Sequence, residues 1–324
     1  MTRKGFEMNK AQLQKIADND YAVPEGRDPE ELIPELNEFL GSADPILRER
    51  SFEILMSWGT TGLFGDEALR DLGEQMVDGL FFGLGEADGD SAFRRSYSAL
   101  VLCTPVGADQ LFAAGLVEGR AAFLASEQVR TWCARALESV RKENDLRGFV
   151  DGKGWAHTVA HKADALCQFA RSPHSRDSEL RQILDCIADR LTCPADSVFV
   201  QDEGGRLMRA AYHVLLRGEL SLDTLTTWLE KFTHTLDGKT WGWGGIFELE
   251  YCDQKAVHAR LNVGEALRSL YFYLKLGLRR WHSEEDAKNA YYAFFDRPLK
   301  HRDELLEVVD SVLRQVYSGL YPPK

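Results

Sequence analysis

The chain has 324 residues, 44% hydrophobic and 28% charged, long and apolar enough for one or two folded domains with a large core. Its 39 Lys and Arg against 51 Asp and Glu give a net charge of −12, so the average surface repels phosphate backbones and general nucleic-acid binding is disfavoured. The nearest approach to a basic cluster is Arg279 with Arg280.

The first ten residues hold no apolar run of signal-peptide length. The most apolar window, 267–278, contains Arg268 and Lys275 and is too short to span a bilayer, so no membrane segment is expected. Cys103, Cys133, Cys167, Cys186, Cys193 and Cys252 stand singly, without CxxC pairs. They read as small buried hydrophobes in a reducing compartment, which points to the cytoplasm.

In chain order, residues 1–27 read as an N-terminal helical extension and 28–324 as a helical-repeat domain. Asp28-Pro-Glu-Glu31 offers a cap, a proline at the first helical position and a capping box. Leu32, Leu36, Phe39 and Leu40 follow at helical spacing, and Gly41 is the stop. A second unit opens at Asp44-Pro with Leu47, Phe52 and Leu55 on one face. Similar openings return at Asp90, 46 residues on, and at Ser126, a further 36. Intervals near forty residues, each holding two amphipathic helices, predict an all-α, irregular solenoid of HEAT or armadillo type, with a compact helical bundle as the alternative. Further helices are predicted over 179–191, 205–216, 222–234, 257–276, 284–295 and 302–317. The glycine- and tryptophan-rich stretch 236–245 reads as an ordered loop and a sub-boundary, where Trp241 and Trp243 either meet a ligand or plug the loop.

The stretch with most chemical potential is Gly154-Trp-Ala-His-Thr-Val-Ala-His-Lys-Ala-Asp164. At about 100° per residue, Trp155, Val159 and Ala163 fall on one helical stripe, and His157, His161 and Asp164 on the opposite side. Offsets of i, i+4 and i+7 stack three groups that suit a divalent metal, an anion or a substrate group. The glutamate that follows the first histidine in zinc hydrolases is replaced by Thr158, so that motif fails. Asp202, Glu203, His213 and His258 are further ligands if the fold brings them near. Asp202 and Glu203 also read simply as a helix cap and its complement, leading to Arg206 and Arg209. Asn262 and Arg268 are further groove candidates beside an aromatic core stripe. Phosphate-binding loops, GxGxxG, GxSxG and kinase signatures are absent.

This GWxHxxAHxxD pattern, with Asp202 to Leu207 and Asn262 to Leu274, resembles DUF2785, a bacterial domain-of-unknown-function family, over most of residues 30–300. The resemblance implies a helical bacterial cytosolic protein with a polar patch at those residues, and supplies no reaction. Two functions follow as expectations. The first is a binding or scaffold protein whose groove, with Trp155, His157, His161, Asp164, Asp202, Glu203 and Arg206 as its candidates, takes a protein, a peptide or a small molecule. The second is a metal-dependent hydrolase on His157, His161 and Asp164, with Asp202 or Glu203 as general base. On either, the trio lies off the apolar stripe, and its replacement by alanine leaves the fold stable.

Overall fold

Asp44 accepts hydrogen bonds from the backbone N–H groups of Ile46 and Leu47, and Pro45 takes the first helical position, so this helix starts where its sequence directs. The computed structural model describes residues 8–242, 245–247, 252–278, 283–284 and 286–318. Among them are thirteen α-helices: α1 Lys10–Asp18, α2 Ile33–Phe39, α3 Pro45–Thr60, α4 Asp66–Gly79, α5 Ser91–Ala113, α6 Ser126–Lys142, α7 Thr158–Arg171, α8 Asp177–Thr192, α9 Glu203–Arg217, α10 Leu222–Glu230, α11 Gln254–Leu276, α12 Ala290–Ala293 and α13 Arg302–Val316. The fold is all-α but for a two-stranded hairpin, β1 Phe149–Val150 and β2 Gly154–Trp155. No helix of the described residues is long and apolar enough to cross a membrane.

The helices pack in alternation. In one layer α3, α5, α7, α9 and α11 each lie against the next; in the other, α4 packs on α6, α6 on α8, α8 on α10 and α10 on α13. The core runs between the layers, from Leu36 and Trp58 through Trp132 and Phe169 to Trp228 and Val309. α7 meets α5 on one side and α9 on the other, so both flanks of this helix are covered.

Several expectations change. Ser126 starts α6, which packs on α4 and α8, whereas the openings at Asp44 and Asp90 start α3 and α5, which pack on each other; the Ser126 hydroxyl contacts His174 Nδ1 at 2.9 Å. Asp90 makes no capping bond, because its carboxylate is taken by Lys153 Nζ at 2.6 Å. The helix expected over 284–295 reduces to a 3-10 turn and the four-residue α12, since Asn289 caps a segment that crosses back towards α5. Trp241 plugs its loop, buried with Nε1 donating to Phe232 O at 2.8 Å. Trp243, Arg279 and Arg280 lie outside the described residues.

One ionic centre joins the layers. Glu143, just past α6, accepts from Arg95 Nε and Nη2 of α5, both at 2.9 Å, and from Lys162 Nζ of α7 at 2.7 Å. Arg190 of α8 donates to the Glu143 carbonyl at 2.8 Å. The side chains of Arg95, Glu143 and Lys162 are essentially inaccessible. Burial favours the neutral carboxyl, but Lys162 and Arg95 outweigh it and hold Glu143 below the ordinary carboxylate range. Burial pushes Lys162 down to about 8 against the pull of Glu143, so both ends carry charge at neutral pH. Removing one partner strands a buried charge. Glu143→Gln is expected to cost about 3 kcal/mol in urea denaturation, with no change in far-UV helicity of the folded state.

Candidate functional site

The site grows from the segment that Glu143 anchors. Asp145 N donates to Glu143 Oε1 at 3.0 Å, and Arg147 closes on the Asp145 carboxylate through Nε at 2.9 Å. The hairpin follows, pairing Phe149 with Trp155 and Val150 with Gly154. Gly154 has φ +80°, and a Cβ there would meet Pro45 Cβ at 3.1 Å and Arg48 Nη2 at 3.2 Å, so glycine lets the hairpin lie on the start of α3. Arg48, buried beneath it, donates to Lys153 O at 2.7 Å and Trp155 O at 3.3 Å. Thr158 has a structural task, its hydroxyl donating to Asp145 O to fix the entry to α7.

Trp155 is therefore a strand residue, 39% exposed, and not part of the helical stripe that the wheel assigned to it. His157 stands at the N-cap of α7 in the left-handed region, with φ 47°. Asp202 stands in the same position at α9, with φ 67°. Its carboxylate makes no capping bond, which corrects its reading as a cap. Two non-glycine residues in this sparsely populated region, at the ends of neighbouring helices, mark backbone fixed by its surroundings.

Between these two ends lies a cleft of about 530 Å³, lined by Trp155, His157, His161, Asp202, Arg206 and Glu49, among others. Both histidines are buried, 5% and 7% exposed, so the polar side of the wheel faces protein and not open solvent. His157 Nε2 lies 3.1 Å from Gln201 O; a carbonyl only accepts, so this nitrogen carries the proton. The ring stacks on Trp155 at 4.3 Å between centroids. His161 Nδ1 meets Ser96 Oγ at 2.8 Å, and its ring meets Tyr97 edge-on at 5.2 Å. Tyr97 in turn donates to Glu49 Oε1, which holds that carboxylate at the cleft wall.

Burial lowers His157 to about 4, helped by Arg206. Burial, His157, Arg206 and Arg48 hold His161 well below the imidazole range. Both rings are neutral at pH 7. Glu203 is buried, with Oε2 accepting from Gln201 N at 2.8 Å and Oε1 3.6 Å from His157 Nε2; burial pushes its pKa up. Glu265 is raised by burial too, and nearby Asp202 and Glu203 add to the rise.

Asp164 does not join the histidines. Its carboxylate accepts from Arg206 Nη1 at 2.8 Å and from Arg209 Nη2. Burial pushes Asp164 above the ordinary carboxylate range even against the pull of the two guanidiniums, and the contacts with Arg206 and Arg209 make it their shared ion-pair partner. Among the described residues no group of three or more His, Cys, Asp or Glu is placed to hold a metal ion. His213 lines a neighbouring cavity, His258 bonds Ala195 O at 3.0 Å, and Asn262 serves Phe199 N at 2.7 Å, all away from the cleft. Arg268 packs over the Tyr317 ring at 4.8 Å.

Glu49, Tyr97, Ser96 and Gln201 were not singled out by sequence. Tyr97 and Ser96 sit in the Arg-Arg-Ser-Tyr opening of α5, where they read as part of a helix start; the other two carry no local signal. Gly148 records the approach of Gln201, since a Cβ there would stand 1.4 Å from Gln201 Oε1.

Burial of the histidines also alters the stability expected of their variants. The unfolded chain protonates them below about pH 6.5, whereas folded His157 resists down to about 4. Their contribution is thus complete above pH 6.5 and lost as pH falls towards 4, by at most about 1.4 kcal/mol per pH unit for each ring. In denaturant titrations at pH 7 to 4, His157→Gln is expected to flatten this slope, whatever its effect at pH 7.

Searches among curated proteins and among solved structures gave no match. A family model described as a protein of unknown function, DUF2785, matches residues 80–272, from the end of α4 to most of α11, and includes the hairpin and both left-handed caps. This match covers more than half of the 324 residues, and the chain belongs to the DUF2785 family.

Proposed function

We propose that the chain is a cytoplasmic helical-repeat binding protein of irregular HEAT or armadillo type that presents its cleft to a cationic segment of a protein or peptide partner. The alternating layers support the repeat reading, because stacked helix pairs give each helix its neighbours in the adjacent pairs. The six free cysteines fit a reducing compartment.

The observation that carries the binding reading is the charge balance of the cleft. Glu49 and Asp202 line it, the two histidines are neutral, and the lining guanidinium, Arg206, shares the Asp164 carboxylate with Arg209, so two carboxylates face one guanidinium across the cleft. Neither Glu49 nor Asp202 forms an ion pair among the described residues, and carboxylates in excess of cations favour a lysine or arginine side chain. The rim adds apolar surface, with Phe149 51% and Val200 79% exposed beside Trp155, and Phe149 meets Trp155 edge-on at 5.1 Å. An exposed tryptophan beside carboxylates suits a cation with an aliphatic stem. A hydrolase on His157, His161 and Asp164 draws no support from this arrangement, since Asp164 serves two arginines.

The test is fluorescence anisotropy of a labelled peptide of alternating lysine and leucine, against its glutamate counterpart. The lysine peptide is expected to bind and the glutamate peptide not. Asp202→Asn is expected to weaken binding about fivefold and Trp155→Ala about tenfold or more. Equal binding of both peptides, or no effect of either substitution, removes the reading.

A further inference from the structure

A second cavity, of about 570 Å³, lies beside the cleft; Asp164 lines it, while Arg206 on the other side of the ion pair lines the cleft. Its walls are largely apolar, formed by Phe52, Met56, Leu100, Tyr273, Leu278 and Phe295. Leu278 and Phe295 close one side. Asn289 Nδ2 donates to Ala114 O at the end of α5 at 2.9 Å, and Phe294 and Phe295 pack edge-on against His213 at 5.9 and 5.7 Å.

The polar groups at this cavity do not balance. Arg209 is committed to Asp164. Arg171 has no such partner: among the described residues no carboxylate lies within ion-pair distance, its Nη2 donates to the neutral amide oxygen of Gln168, and its buried Nε has no hydrogen bond. The guanidinium lies over the Phe295 ring at 5.0 Å and the Tyr291 ring at 5.5 Å. Stacking of this kind leaves the N–H edge free for an acceptor in its own plane. His213 lines the same cavity, 5% exposed, with Nδ1 buried and without a hydrogen-bond partner. Burial holds its ring neutral and keeps Cys103 and Cys167 as thiols, so none of the three cancels the charge of Arg171.

We infer that this cavity binds an amphipathic organic acid, its carboxylate on the Arg171 guanidinium and its apolar body against Met56, Leu100 and Phe295. An uncompensated cation at the wall of an apolar cavity of this size is the usual design of a small-molecule pocket, in which a few polar groups orient a mostly apolar ligand. The site is separate from the cleft, and the inference does not rest on the binding of a cationic partner there.

The experiment is isothermal titration of the full chain with decanoate, decan-1-ol and decyltrimethylammonium. Decanoate is expected to bind at one per chain and about tenfold tighter than either of the others, the difference that a hydrogen bond to a charged group supplies. Arg171→Gln is expected to bring decanoate to the level of decanol and to leave decanol unchanged. Leu100→Trp, which fills the apolar end, is expected to abolish both, with thermal melting to show that each variant is folded. Equal affinity for the three probes, undiminished decanoate binding by folded Arg171→Gln, or no saturable decanoate binding by the wild type overturns the inference. The comparison of probes on the wild type decides the matter even where a variant fails to fold.

Discussion

The buried carboxylate of Glu143 is the constraint on which the rest of the site depends. It receives Arg95 from α5 and Lys162 from α7, its carbonyl receives Arg190 from α8, and its own backbone leaves α6, so four helices are tied at one point. A charge this deep is tolerated only when every partner is in place. From it the chain runs through Asp145 and Thr158, whose bonds fix the two ends of the hairpin segment. His157 therefore reaches the cleft on backbone that is held at both ends, which is what a left-handed histidine requires.

The cleft combines two kinds of preorganisation. Its histidines are desolvated and neutral, fixed by Gln201 O and Ser96 Oγ, so neither has to shed water or a proton to meet a ligand. Its charged groups are sorted, with Arg206 bound to Asp164 and the carboxylates of Glu49 and Asp202 left to the cleft. The same Asp164 bridges to Arg209 at the second cavity, so one carboxylate shared by two guanidiniums stands between the cleft and the pocket that holds Arg171. The chain as a whole is acidic, and the division of charge on this face is not visible in its sum.

Helices were largely legible in the sequence because their signals are local. Asp44-Pro45 caps α3 as its spacing predicts, and the stretches read over 179–191, 205–216 and 302–317 lie within α8, α9 and α13, give or take a terminal residue. Caps without tertiary confirmation misled. Asp90 is drawn to Lys153 and Ser126 to His174, contacts 63 and 48 residues away in sequence. The histidine pair was legible as a pair, since His161 N bonds His157 O in the first turn of α7. Its burial was not, because a wheel assigns a polar side to solvent, whereas α7 lies between α5 and α9. The company of Asp164 was likewise beyond local reading: Arg206 and Arg209 lie 42 and 45 residues on, and their guanidiniums reach it only because α9 packs along α7.

The central claim is that the cleft between the two left-handed caps is where a cationic ligand sits. Nuclear magnetic resonance of the histidine rings during titration with a lysine-rich peptide tests this directly, since these rings line the cleft while His234 and His301 lie elsewhere. Saturable shifts are expected at His157 and His161 and none at His234 or His301. Unmoved cleft histidines at saturation, or equal shifts at all four, would contradict the claim.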